Sequence, residues 1–495
     1  MPQPRASEPS TPTTRLAELL GASRIEEMSD SETQAGGTDD GAAEAEVVAP
    51  PEPVINELFT TPPKIRVQVE TKTSKEQAKT VDECLERLTD RSGRARNSHG
   101  LQRLRKAKHN EFLHDALGDY PGKFVLMDAS RPWLLYWSLS GIALLGSTDI
   151  TDFEDRLADT VTPCQNRDGG FGGGHGQISH LAASYAIVLA LVIVGGDEGF
   201  NLIDRRAMWH WLGAMKQSDG GFTLCHGGEE DVRGAYCALV MLSILDLPLE
   251  LPPEAPARQS GMTSLLDGLL EWISKCQTYE GGLAGAPGCE AHGAYTFCGL
   301  AALCILGEPH ATINKSLDVP SLVAWLSSRQ HAPEGGFAGR TNKLVDGCYS
   351  HWVGGCWALV EAAVHGPVSA PTAAPPPRLW SREGLATYIL QCCQNAQGGL
   401  KDKPSKNPDA YHTNYNICGL SAAQHRYAYC PSQEPDMEGN LKAGFSWVMM
   451  AEGEREEEGR VFDDEDRVGA INPVYVVPVG RAERARRFFE SKRGF

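Results

Sequence analysis

The stretch DGGFGGGHGQISHLAASYAIVLALVIVG, Asp168 to Gly195, decides the fold. It opens with a Gly-Gly pair followed by Phe, continues through a short polar turn, and ends in a run that is apolar on every side. Glycine supplies the positive φ that a tight reversal requires, and a helix apolar all round is buried on both flanks. The unit recurs: Gly-Gly followed by Phe or Leu stands at Gly169, Gly220, Gly281, Gly335 and Gly398, at intervals of 51 to 63 residues. A glutamine precedes each pair (Gln165, Gln217, Gln277, Gln330, Gln394), at the end of an apolar stretch with helical spacing. RPWLLYWSLSGIALLG, Arg131 to Gly146, reads as the buried helix of an earlier, degenerate unit. Such self-similarity marks a repeat architecture. Six helix pairs, apolar members inside and amphipathic ones outside, predict an all-α fold. The expected form is a closed α/α toroid, a barrel without the exposed ends an open solenoid must cap.

Around this core the chain of 495 residues carries 46 Lys+Arg against 64 Asp+Glu, a net charge of −18. That balance argues against a nucleic-acid partner, which would need a basic face. It still permits an anionic small molecule held by a few cations in a cleft. The first thirty residues lack the apolar core of a secretory signal. The longest apolar run, Leu181 to Val194, is shorter than the ~20 residues of a membrane span. Fourteen cysteines scattered through apolar segments read as reduced thiols in a soluble cytoplasmic protein. Residues 1–60, rich in Pro, Ser, Thr, Ala and acids, cannot bury enough apolar surface to order and are expected to be disordered. The toroid then spans 61–495, with surface insertions near 369–378 (SAPTAAPPP, Ser369 to Pro377) and 452–466. The second insertion contains DDED, which superficially resembles an acidic metal-diphosphate motif and reads as a solvated charge run.

The units align on a recurring aromatic. Three places before it stand Ala182, Arg233, His292, Cys348 and His412; two places further back stand His180, Asp231, Glu290, Asp346 and, breaking the series, Ala410. Equivalent positions on an inner ring face one central cavity from the same end, so this pattern predicts a functional funnel. Asp346, Cys348 and His412 offer O, S and N donors that suit zinc and leave a fourth position open. By spacing alone, with no CxxC pair, a buried free cysteine is the favoured reading of Cys348. Arg340 and Lys343, with Tyr349 and His292, would concentrate an anion such as a diphosphate. Lys403 and Lys406 read better as surface lysines after a turn. Trp133, Trp137, Tyr185, Tyr236, Tyr295 and Trp352 serve either as core or as a groove for a long apolar chain.

Taken together, DASRPWLLYW, GGEEDVRGAYC, GCEAHGAYTFCGLAAL, EGGFAGRTNKLVDGCYSHW and GGLKDKPSKNPDAYHTNYNICGLSAAQH resemble protein farnesyltransferase β subunits, from about Val67 to the C-terminus. NPVYVVPVGRAERARRFF resembles the tail of that family. The resemblance implies a heterodimer with an α subunit, whose β subunit binds zinc, farnesyl diphosphate and the CaaX terminus of proteins such as small GTPases. By the same resemblance, Asp346, Cys348 and His412 are zinc ligands. His292, Arg340, Lys343 and Tyr349 contact the diphosphate, joined by a lysine of the α subunit, and Asp402 is linked to Mg²⁺. Arg233, Tyr236, Tyr295, Cys298 and Trp352 belong to the isoprenoid groove; Trp133, Trp137, His180 and Tyr411 contact the peptide. His351 departs from the family by standing where an aromatic is usual.

Within the family the alternative is a geranylgeranyltransferase type I β subunit. Bulky Trp133 at the groove's far end and Asp402, where the geranylgeranyl enzymes resemble one another in carrying a lysine, favour farnesyl. A non-catalytic toroid binding module and a terpene cyclase are the readings from other classes. The first conflicts with an intact ligand trio and cation set. The second lacks an acidic general-acid motif on the inner ring.

Overall fold

The structure, a computed structural model, describes residues 70–492 except 91, 93, 94, 121, 147, 148, 372–378, 432–440 and 452–459. Residues 1–60, most of the Pro/Ala insertion and the first part of the acidic insertion therefore lie outside the described residues. Helix α1 (Lys72–Thr89) packs on a π-helical turn, Ile389–Cys393, on the outside of a ring. The ring is six pairs, each an outer helix followed by an inner one. These are α2 (Lys106–Asp115) with α3 (Arg131–Leu144), α4 (Glu154–Val161) with α5 (Leu181–Val194), and α6 (Arg205–Met215) with α7 (Val232–Ile244). Next come α8 (Leu269–Lys275) with α9 (Gly293–Leu306) and α10 (Val319–Ser327) with α11 (Tyr349–Trp352), which resumes as α12 (Cys356–His365). The last pair is α13 (Arg382–Tyr388) with α14 (Ala410–Gln424); the final helix, α15 (Arg481–Glu490), packs on α5 and α7. A two-stranded antiparallel sheet, β1 (Tyr427–Tyr429) with β2 (Trp447–Met449), is the only sheet among the described residues.

The inner helices pack in sequence, and α14 returns to pack on α3, so the ring is closed as the repeat predicts. Its joints explain the glycines and the glutamines. The first glycine of each turn has positive φ, and a Cβ there would strike backbone of the next outer helix or its N-terminal cap. From Gly169 it would meet the Ala207 carbonyl on α6 at 2.0 Å, and from Gly281 the Ser321 carbonyl on α10 at 2.0 Å. From Gly398 it would meet Lys108 on α2, which carries the same joint across the closure. The glutamine amide completes the clasp. Gln277 donates to the Asp318 carbonyl at 3.0 Å and accepts from the Asp318 amide at 2.8 Å. Gln165 does the same with Leu202 and Asp204, and Gln330 with Ser381. Gln394 clasps Arg103 and Arg105, joining the sixth unit to the first. Gln217 departs, turning back to the Met215 carbonyl, and buried Lys216 donates to Gly220 at that joint instead.

The C-terminal segment fills one end of the barrel. Val474 to Val477 are buried among the inner helices. The Tyr136 hydroxyl donates to the Val476 carbonyl at 2.8 Å, that of Tyr236 to the Val474 carbonyl at 2.6 Å, and Ser243 bonds to the Tyr475 hydroxyl at 2.6 Å. Gly469 is held by Leu144 and Ser421. The tail is thus held where the inner helices end.

Within DDED, Asp464 and Glu465 are exposed as a solvated charge run requires, whereas Asp463 is half-buried and Asp466 is buried. Asp466 is only 1% exposed. It accepts from the Asn97 side chain at 3.0 Å and the Leu104 amide at 2.8 Å, pinning the tail's approach to the entry of α2. Asp463 accepts from Ser98. A carboxylate supplied with this many donors is stable when buried, and run composition does not reveal it.

The joint predicts a graded response to alanine. At Gly281 the strain of a left-handed residue adds to a collision with backbone, so Gly281→Ala should cost about 3–5 kcal/mol. At Gly288, whose φ is +82° with nothing within 4 Å of a new Cβ, the cost should be only about 1–2 kcal/mol. Denaturant unfolding of the two variants checks the contrast.

Candidate active site

The five Gly-Gly units each place a polar residue at the start of the inner helix. His180, Asp231, His292 and Asp409 are N-caps, their side chains accepting from the amides of Ala182, Arg233, Ala294 and His412. Asp346 does the equivalent work before α11, accepting from the Cys348 amide at 2.9 Å. A second mark fixes the register. The hydroxyls of Ser184, Thr296 and Thr413 accept from Phe171, Leu283 and Leu400, each 13 residues earlier, and each hydroxyl lies four residues after its cap. The structural equivalents are therefore His180, Asp231, His292, Asp346 and Asp409. The aromatic alignment holds for three units. It is shifted by two residues around His292 and by one around His412, so Ala410 does not break the series; Asp409 continues it. Capping decides the register because the side chain must reach the free amides of the first turn.

Three donors converge at this end. Single ligand atoms of Asp346, Cys348 and His412 lie within 4.8 Å of one another. His412 Nε2 is 3.2 Å from Asp346 Oδ1, and its Nδ1 is 2.7 Å from Asp409. Burial disfavours the imidazolium, but hydrogen bonds to Asp346 and Asp409 outweigh it and push the His412 pKa up to about 10. Burial likewise opposes the Asp346 charge, and His412 nevertheless holds that carboxyl below its usual range. Burial, with Asp346 beside it, pushes the Cys348 thiol well up. O, S and N donors at this separation, with the second imidazole nitrogen held by a carboxylate, fit a zinc ion with a vacant position. Asp409 was missed in the sequence; the 13-residue spacing would have found it.

Beside the trio lies the cation set. His292 Nδ1 accepts from the Ala294 amide at 3.1 Å, and burial, with Arg340 nearby, lowers its pKa to about 4. The neutral ring therefore carries its proton on Nε2, which donates to the Tyr349 hydroxyl 3.0 Å away. Tyr349 is left with its own proton to give. Arg340 contacts Glu290 at 3.1 Å, and Lys343 is exposed. Asp402 is bound by Lys403, which is buried. Lys403 is thus no surface lysine; it neutralises a carboxyl whose pKa is raised by burial and by Asp346. Lys406 is exposed, as expected. Arg233 forks onto Asp231 and lies 5.6 Å over the Tyr295 ring.

The aromatics form a continuous belt. Trp133 stacks on Trp137 at 5.6 Å and touches Tyr185 at 5.8 Å; Trp137 meets Tyr411 at 5.1 Å. Tyr411 meets Tyr415 at 5.0 Å, and Tyr415 meets Trp352 at 4.5 Å. Trp352 donates to the Tyr411 hydroxyl at 3.1 Å. Trp133, Trp137, Tyr295, Trp352 and Tyr411 are half-buried, whereas Tyr236 and Cys298 are buried in the wall. His180, capping through Nδ1, keeps Nε2 free of that duty. His351 is buried, stacks on Tyr415 at 22° and lies against Phe297. Burial lowers its pKa to about 3, so it serves as a neutral aromatic slab.

The chain matches the Prenyltransferase alpha-alpha toroid domain over residues 104–477. It is 48% identical to the protein farnesyltransferase subunit beta of Pyricularia oryzae, across 95% of this chain and 92% of that protein. It is 38% identical to the subunit of the same name from Schizosaccharomyces pombe, across 78% of this chain and 90% of the relative. Among solved structures, Candida albicans protein geranylgeranyltransferase-I complexed with GGPP aligns with a TM-score of 0.55 at 20% identity, covering 80% of this chain and 100% of the other, a likeness of fold. Repeat, closure and relatives agree: the chain belongs to the α/α toroid prenyltransferase family, alongside the protein farnesyltransferase β subunits.

Proposed function

We propose that the chain is the catalytic β subunit of a heterodimeric, zinc-dependent, cytoplasmic protein farnesyltransferase. It moves the farnesyl group from farnesyl diphosphate to the cysteine thiol of a C-terminal CaaX motif, forming a thioether. The principal support is the Asp346–Cys348–His412 cluster beside a half-buried aromatic belt, together with relatives named as farnesyltransferase β subunits. Zinc held by those three residues would keep a substrate thiol deprotonated near neutral pH.

The remaining chemistry belongs to the chain's own side chains. Arg340 and Lys343 bind the diphosphate, and Tyr349, oriented by His292, donates to it as charge develops on the leaving oxygens. Asp402 offers the carboxylate that Mg²⁺ requires beside substrate phosphates, once Lys403 turns away. The belt from Trp133 to Trp352 receives the isoprenoid and the peptide's apolar side chains, with His180 and Tyr411 at the peptide. An α subunit completes the diphosphate site with a further lysine. The direct test is co-expression with an α subunit and assay of farnesyl against geranylgeranyl transfer to a CaaX peptide; full turnover by the isolated β chain would contradict the heterodimer.

Metal uptake should be strongly pH-linked. In the metal-free protein His412 is protonated up to about pH 10 and Cys348 holds its thiol proton. Because the folded pKa of His412 is raised, its contribution to stability is complete below about pH 6.5 and is lost as pH rises through about 10. Zinc binding at pH 7 should release about two protons, read by calorimetry in buffers of different ionisation enthalpy. Cys348→Ala and His412→Ala should lose stoichiometric zinc yet keep most isoprenoid diphosphate affinity. Asp409→Asn should weaken zinc by roughly 10–100-fold.

Chain-length selectivity is expected to rest on Trp133. A tail anchored at Arg340 and Lys343 runs toward α3, where that indole takes the room of a further isoprene unit. Burial of the extra unit would be worth roughly 3–4 kcal/mol if it fitted. Trp133→Thr should therefore raise geranylgeranyl relative to farnesyl transfer in single turnover, without loss of zinc; an unchanged ratio would leave Trp133 as ordinary wall.

A further inference from the structure

We infer that Glu290 competes with the diphosphate for Arg340, and so sets how tightly the anion pocket holds its substrate and how readily it releases inorganic pyrophosphate. The inference rests on the proposed assignment of Arg340 and Lys343 to the diphosphate, and adds a residue with the opposite sign.

Arg233 and Arg340 are held differently. Arg233 is gripped by both oxygens of Asp231, at 3.0 and 3.1 Å from its Nε. Asp231 has a side chain only 9% exposed and also caps α7. That pair is a brace, and moving it would uncap a helix. Arg340 instead meets Glu290 through one nitrogen and one oxygen at 3.1 Å, with side chains 37% and 52% exposed. Glu290 caps nothing, and Arg340 is its one hydrogen-bond partner among the described residues. Its carboxylate can therefore swing into water at small cost, while occupying the guanidinium in the ligand-free protein.

A diphosphate offers that guanidinium a two-pronged contact, which a single carboxylate oxygen does not. Substrate accordingly displaces Glu290, but must spend part of its attraction doing so. Once displaced, Glu290 remains tethered two residues from His292, itself bonded to Tyr349, and its charge lies close to the bound anion. After transfer the product is pyrophosphate without an isoprenoid to anchor it. Glu290 can then return to Arg340 and displace the product. An exposed ion pair is worth at most about a fivefold change in an equilibrium, and like-charge repulsion at short range in water contributes a similar factor. Removing the charge should therefore tighten anion binding about three- to tenfold.

The test uses the full αβ heterodimer with zinc, probed with inorganic pyrophosphate as inhibitor and farnesyl diphosphate as substrate. Glu290→Gln should lower the pyrophosphate inhibition constant about three- to tenfold and lower KM for farnesyl diphosphate. It should also slow pyrophosphate release, with thermal stability unchanged. The difference from the parent should shrink as salt is raised, and Glu290→Asp should restore most of the parent behaviour. Arg340→Ala is run beside them. If it weakens pyrophosphate binding while Glu290→Gln leaves binding unchanged or also weakens it, Glu290 is a brace and the inference fails alone. If Arg340→Ala does not affect pyrophosphate binding, the diphosphate assignment fails and takes the inference with it.

Discussion

The whole ring depends on one contact, the approach of each Gly-Gly turn to the backbone of the next outer helix. No side chain fits between Gly281 and the Ser321 carbonyl, so the separation of neighbouring units is set by backbone. The glutamine clasp then satisfies the amide and carbonyl groups that such an approach would otherwise bury unpaired. Because the contact repeats from unit to unit and again across the closure at Gly398, the units are forced into one ring rather than an open spiral. Inner helices that are apolar all round could not be stable in any arrangement that left one flank in water.

The same constraint creates the site. Every Gly-Gly turn leads into the first turn of an inner helix, where free amides demand a capping side chain. Closing the ring brings those caps to one rim. Polar residues otherwise excluded from so apolar a core are concentrated there. Where the cap is Asp346, its neighbour Cys348 and the next unit's His412 fall within reach of the same point. Where the cap is His292, helix capping itself settles which imidazole nitrogen faces Tyr349. Structural necessity and the proposed chemistry thus share the same side chains.

Much of this was legible in the sequence because it repeats. The Gly-Gly pairs, the glutamines and the apolar runs gave the number of units and the closure. Asp346, Cys348 and His412 stood out as ligand types at the start of inner helices, although their convergence needed the resemblance to be read. What escaped depended on contacts distant in the chain. Lys403 became buried because Asp402 required a counter-charge, and Asp466 because Asn97 and Leu104, more than three hundred residues away, supply its donors. Asp409 escaped for a different reason: the recurring aromatic is a packing feature, and packing tolerates a shift in register that capping does not. His351, a departure in sequence, proved to be none in physics, since burial keeps it neutral and flat.

The plug formed by residues 469–479 bears on how such a chain can be made. Its hydroxyl partners, Tyr136, Tyr236 and Ser243, are translated long before the carbonyls and the tyrosine they bind. The joint between Gln394 and Arg103 likewise spans nearly the whole ring. A nascent chain emerging from the ribosome therefore carries apolar inner helices with one flank uncovered and polar groups in search of partners until residues 469–479 appear. Synthesis of this protein is a period of prolonged exposure, ended by the tail.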